Sequence, residues 1–139
     1  MAGYSGTPLA TKLGIKEGAR IALVDAPDHT PALLDPLPDA VTVLRQARAP
    51  LDVILLFTTS RSVLERRFPE LATRLTPTGG LWVCWPKKAS GVPTNVTEGV
   101  AREIGLAVGL VDNKVCAVDE VWSGLRFVTR LRDRPQRRF

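Results

Sequence analysis

Cysteine and histidine are nearly missing from this sequence, which has two of the first, Cys84 and Cys116, and one of the second, His29. A zinc site would need unusual ligands, so no metal site is expected. Both cysteines sit inside apolar stretches and read as buried thiols on strands, not as a disulfide. Long apolar runs are missing too. The longest, such as Val53–Phe57, are far shorter than the ~20 residues needed to cross a bilayer. The opening residues, Met1–Gly6, lack the basic-then-apolar pattern of a secretion signal. The expected location is the cytoplasm, with no membrane partner.

What is present describes one ordinary folded unit. Hydrophobic residues at 45% and charged residues at 24% match a soluble globular domain and exclude wholesale disorder. A chain of 139 residues has room for one domain, alone or in a small oligomer. The net charge of +5 is unevenly placed: Arg132, Arg134, Arg137 and Arg138 against Asp133 supply +3, which leaves +2 for residues 1–131. The expected division is a single domain over 1–131 and a basic, disordered tail over 132–139. Such tails more often solubilise a chain end than bind phosphates, so nucleic acid is expected only through the tail, if at all.

Along the chain, Thr7 with Pro8 opens a short helix that Gly14 closes. Arg20–Asp25 is a continuous apolar run, the pattern of a strand buried on both faces. Residues 26–39 contain four prolines, which allow only a turn of helix around Pro31–Leu34. Val41–Leu44 is a short strand, and Asp52–Phe57 is a second buried one. Ser62 and Glu65 have capping-box spacing ahead of an apolar stripe that ends before Pro77, with Pro69 expected to bend or split the helix. Thr78–Gly80 reads as a turn into the strand Leu81–Trp85. A helix over Thr94–Ala107 follows. Val111–Val118 and Leu125–Leu131 are then two strands joined by Asp119–Gly124, an antiparallel pair.

Alternating strands and helices closed by an antiparallel pair imply an α/β fold: a mainly parallel sheet, helices on both faces and a reversed strand near one edge. In such sheets ligands bind outside the carboxyl ends of the strands. The rim segments are Asp25–His29, Thr58–Arg61 and Trp85–Ser90. Glycine is absent from the first of these, where a bare backbone would let a phosphate or nucleoside approach. Asp28 and His29 read as an acid–base pair or, more simply, as an exposed loop with a helix cap. Lys87, Lys88 and Ser90 leave the rim before a helix and suit an anion, with Trp85 and Trp122 as flat apolar walls. The competing reading pairs Lys87 or Lys88 with Asp119 or Glu120 and puts both tryptophans in the core. Thr58, Thr59 and Ser60 either orient a ligand through hydroxyls or cap the next helix. No Gly-x-Ser-x-Gly elbow and no second histidine are present, so hydrolase chemistry is weakly supported.

Tyr4–Leu9 with Lys12–Lys16, then Trp85–Ser90, then Lys114–Leu125 together resemble a bacterial family known as domain of unknown function 3052, over about residues 4–131. That resemblance implies a small bacterial protein and carries over no catalytic residues. More distantly, Lys12–Val24 and Leu75–Val83 resemble the leads into the first and fifth strands of class I methyltransferases, which implies a Rossmann-like fold. The chain departs from that pattern at the glycine loop after Val24 and in the proline-broken segment where a ribose-binding acidic residue would lie. The expected function is therefore a non-enzymatic, Rossmann-like binding or regulatory domain. Its ligand would be an anionic or nucleotide-like small molecule, or its partner a protein or a second copy. The alternative is a divergent adenosylmethionine-dependent methyltransferase. Cofactor and catalytic residues are unassigned.

Overall fold

A computed structural model describes residues 7–136. Tyr4–Gly6 of the first family-like stretch and Arg137 and Arg138 of the basic tail lie outside the described residues. The elements run α1 (Leu9–Lys12), β1 (Arg20–Val24), α2 (Thr30–Leu33), β2 (Thr42–Leu44), β3 (Leu51–Phe57), α3 (Arg61–Ala72), β4 (Leu75–Pro86), α4 (Glu98–Ala107), β5 (Leu110–Ala117) and β6 (Trp122–Thr129). The six strands form one sheet in the order β2-β1-β3-β4-β6-β5. From β2 to β4 neighbours are parallel, whereas β6 is antiparallel to both β4 and β5. The reversed strand thus lies one place in from the edge, and the carboxyl ends of β1, β3, β4 and β5 share one rim.

The apolar runs become strands because both faces are covered. One face carries Ala22, Ile54, Leu56, Val83 and Phe127 under Leu64, Phe68 and Leu71 of α3 and Ala101 and Ile104 of α4. The other carries Ile21, Leu55, Phe57 and Trp82 under Ala10, Leu13, Ile15 and Leu34. The two long helices share a face, and short segments roof the opposite one. Phe68 and Phe127 meet edge to face at 5.2 Å. A side chain on Gly105 would come within 2.2 Å of the Phe127 ring, so glycine is what lets α4 settle onto β6.

Several boundaries differ from the sequence expectations, each for a local reason. Thr78–Gly80 is part of β4 and not a turn. Leu51 pairs with Leu75 but Val53 pairs with Gly80, so the intervening residues bulge. A Cβ on Gly79 would stand 3.0 Å from the Leu51 and Asp52 carbonyls. Helix α3 runs through Pro69 unbroken. Proline removes one backbone bond, but Leu64 and Phe68 before or at that turn and Leu71 and Ala72 after it are all buried against the sheet. Ser60, not Ser62, caps this helix, its Oγ accepting from the Val63 amide at 3.3 Å.

Helix α4 starts at Glu98 because Thr97 caps it by accepting from the Val100 amide at 3.1 Å. Thr94 is engaged elsewhere, donating to the Thr59 carbonyl at 2.8 Å. Trp122, Ser123 and Gly124 belong to β6, so the β5–β6 connection is shorter than expected. Cys84 and Cys116 are free and buried. Both pair with Gly124 from opposite sides, about 9–10 Å apart at the usual strand spacing, beyond disulfide reach. Burial raises both thiol pKa values, and lysines near Cys116 oppose the rise there. At the other end of the chain, Leu131–Gln136 forms a 3-10 helix that opens the expected tail. Arg134 anchors it by donating from Nε to the Thr129 carbonyl at 3.2 Å. Among the described residues no helix is long and apolar enough to cross a membrane.

Candidate functional site

The carboxyl rim begins at Asp25, the first residue after β1. Its φ is 55°, the left-handed region that aspartate tolerates better than most residues with a side chain. The tight turn that glycine serves elsewhere is made here by Asp25, and the carboxylate comes with it. That carboxylate is exposed and meets Arg67 Nη1 of α3 at 3.4 Å.

Four residues later the chain crosses the rim. His29 Nε2 lies 2.9 Å from Asp119 Oδ2 in the β5–β6 turn. The partner of His29 is thus Asp119, whereas Asp28 is exposed. Asp119 Oδ1 accepts from the Val121 and Trp122 amides at 2.8 and 2.7 Å. Partial burial acts to raise the Asp119 pKa, but His29 and the two amides outweigh it and hold the carboxyl below its ordinary value.

The lysine turn is tied to the same residue. Lys87 Nζ donates to the Asp119 backbone carbonyl at 2.7 Å, and the Lys87 amide donates to Val121 at 2.7 Å. Ser90 Oγ donates back to the Lys87 carbonyl at 2.6 Å and closes a 3-10 turn. Lys88 and Glu120 are exposed and make no ion pair or side-chain hydrogen bond among the described residues. Trp85 is buried with α3 and α4 on one face of the sheet. Trp122 packs on the other face, edge to face with Phe57 at 5.2 Å. The two indoles therefore stand on opposite sides of the sheet and do not form one slot.

The hydroxyl cluster after β3 is likewise engaged. Thr58 is buried; its Oγ1 accepts from the Ser60 amide at 3.1 Å and donates to the Ser60 carbonyl at 3.3 Å. Ser60 caps α3, and Thr59 is exposed. Of the rim residues expected from the sequence, the structure gathers Lys87, Ser90, Asp119 and Trp122 into one bonded cluster and places Trp85 and the hydroxyl cluster apart from it.

The open space on this rim lies elsewhere, beside β1 and β2. A cavity of about 410 Å³ is lined by Asp25, Asp28 and Arg45 with Leu23, Pro27 and Val43. That volume is within the range of small-molecule sites. Val43 and Arg45 were not among the expected site residues. Arg45 is the first residue after β2, and following the rim rule for that short strand as well as the long ones leads to it.

No family model matches the chain, and a search of curated proteins finds none that matches. Solved structures do resemble it. An adenosylmethionine-dependent methyltransferase from Aquifex aeolicus superposes with a TM-score of 0.64 at 15% identity, covering 86% of each chain. The fibrillarin pre-rRNA processing protein of Methanococcus jannaschii gives 0.60 at 13% identity, over 91% of this chain and 70% of that one. The precorrin-6y C5,15-methyltransferase of Geobacter metallireducens gives 0.59 at 10% identity, over 88% and 86%. The fold is thus Rossmann-like, as in the Aquifex and Geobacter methyltransferases. At such identities the likeness concerns the fold alone.

Proposed function

We propose that this chain is a divergent methyltransferase-type protein that binds an adenosylmethionine-like molecule in the cavity between β1 and β2. The observation that carries this reading is the charge of the lining. Adenosylmethionine has two positive groups, the sulfonium and the ammonium, and one negative carboxylate. The cavity offers two carboxylates, Asp28 and Asp25, the latter exposed and also 3.4 Å from Arg67 Nη1, and one guanidinium, Arg45. Opposite charges favour one another most where water is partly excluded, and Leu23, Pro27 and Val43 supply apolar surface beside them. The left-handed turn at Asp25 makes the backbone bend without a glycine, and places a carboxylate where the bare backbone would otherwise lie. In this arrangement Asp25 and Asp28 face the cationic end and Arg45 the carboxylate. When bound, the molecule supplies an electrophilic methyl group on sulfur.

The competing reading, a non-enzymatic domain that takes an anion on Lys87 and Lys88, has less support. Lys87 is engaged by Asp119, and the tryptophans stand on opposite faces.

Titration calorimetry with adenosylmethionine and adenosylhomocysteine tests the proposal. Saturable heat is expected at or below about 1 mM, where the binding free energy is about 4 kcal/mol. Asp25→Lys should weaken adenosylmethionine at least about tenfold, about 1.4 kcal/mol, and the uncharged-sulfur product less. Absence of heat with both ligands at millimolar concentration would remove the reading.

A further inference from the structure

The opposite end of the sheet holds a second cavity, of about 470 Å³, where β1, β3 and β4 begin. Arg126 of β6 is part of its lining. This guanidinium is half-buried, its Nε is fully shielded from solvent, and it has no hydrogen-bond partner. Among the described residues no carboxylate pairs with it and no carbonyl accepts from it. Burial and the neighbouring Arg134 both push its pKa down, the sign of a cation without compensation.

The backbone has been cleared to hold this side chain. A Cβ on Gly80 of β4 would fall 2.4 Å from Arg126 Nε, so only glycine fits there, whereas a Cβ on Gly14 would stand in ordinary contact, 3.9 Å from Nη2. The sheet also aligns a second cation with it. Lys114 of β5 is the direct cross-strand partner of Arg126, a like-charge pairing that costs stability by itself. Lys114 Nζ donates to the Lys12 carbonyl at 2.6 Å, which fixes it over the cavity. Lys12 and Lys16 add two more ammonium groups to the lining.

Two carboxylates share the lining, and among the described residues neither forms an ion pair with Arg126 or the lysines. Asp52 accepts from the Arg20 amide at 2.9 Å and from Thr76 Oγ1 at 3.3 Å. Glu17 is exposed on the outer loop. A half-buried guanidinium with unused donors beside an aligned lysine is a poor structural device, because an unpaired buried charge destabilises the fold. It is a good receptor for an oxyanion, which takes several charge-assisted hydrogen bonds from a guanidinium fork at once.

We infer that this cavity binds a phosphate-bearing small molecule, with Arg126 and Lys114 holding the phosphate and Lys12 and Lys16 at the mouth. The cavity is several times larger than one phosphate group, so its ligand is an ester or a polyphosphate, with inorganic phosphate and pyrophosphate as the minimal probes that occupy the same cationic end. The site stands apart from the β1–β2 cavity at the other end of the strands, so either assignment can fail without the other.

Thermal melting of the full chain in inorganic phosphate, pyrophosphate and, at matched ionic strength, chloride tests this. Phosphate or pyrophosphate at a hundredfold excess over its dissociation constant should raise Tm by roughly 5 °C or more relative to chloride. Arg126→Met should melt higher than wild type in chloride, because the uncompensated charge is gone, and should lose the phosphate-dependent rise. Lys16→Ala, at an exposed position that does not hold the fold, should reduce that rise with little change in chloride. Equal melting in all three salts would overturn the inference. So would an undiminished phosphate response in Arg126→Met, or a lower Tm for that variant in chloride, which would mark Arg126 as a structural residue.

Discussion

The two ends of the sheet contrast in how they satisfy their polar groups. At the carboxyl rim the β4 and β5–β6 turns are internally complete: Asp119 takes His29, two amides and, through its carbonyl, Lys87, while Ser60 and Thr58 serve the start of α3. At the amino end Arg126 Nε is left without an acceptor among the described residues. Most polar residues that look like ligand groups in sequence turn out to hold the rim together, where only the Thr30 hydroxyl is buried without a partner among the described residues, and the charged side chain with a buried, unused donor, Arg126, lies where the fold does not advertise a site. The remaining open part of the rim, between β1 and β2, is the part whose lining stays exposed and charged.

Three substitutions bear on this contrast, in falling order of effect. Phe127→Ala removes a fully buried ring that packs on Phe68 and lies under Gly105, and should cost about 3–5 kcal/mol in denaturant unfolding. Both ends rest on this core, so binding at both should weaken together; loss at only one would mean that the ends fold independently. Asp119→Ala breaks the rim cluster and should cost about 2 kcal/mol near neutral pH, because two amides lose their acceptor. The Asp119 pKa is depressed in the folded state, so its contribution is present above the unfolded carboxylate value of about 4 and is lost as pH falls through the folded one. The stability gap between wild type and Asp119→Ala should therefore narrow below about pH 4. A gap constant from pH 7 to pH 2 would contradict the assignment. Lys88→Ala, at an exposed position whose side chain has no partner among the described residues, should change stability by less than about 0.5 kcal/mol, and adenosylmethionine binding not at all.

How much of this was legible depended on what each residue had to signal. Continuous apolar runs such as Ile21–Val24 and Val53–Phe57 announced buried parallel strands, and the sheet class followed from their order. Boundaries set by long-range packing were hidden. Gly79 and Gly80 look like a turn in isolation, and only the approach of the Leu51 and Asp52 carbonyls and of Arg126 shows why glycines stand inside a strand. Pro69 looks like a break until Leu71 and Ala72 are seen buried beyond it. The site was less legible than the fold. Lys87 and Asp119 were marked as a candidate pair, yet the bond runs to the backbone carbonyl, which no side-chain pattern encodes. Arg126, inside an apolar strand, gave no local sign that it would lie over Gly80 and beside Lys114.

The most direct measurement of the account is an amide NMR titration of the full chain with adenosylmethionine. The proposed function predicts shifts concentrated at residues 23–29 and 43–46 around the β1–β2 cavity, with Lys87–Ser90 and the region of Arg126 unmoved. Shifts centred on Lys87–Ser90, or none at millimolar ligand, would contradict it.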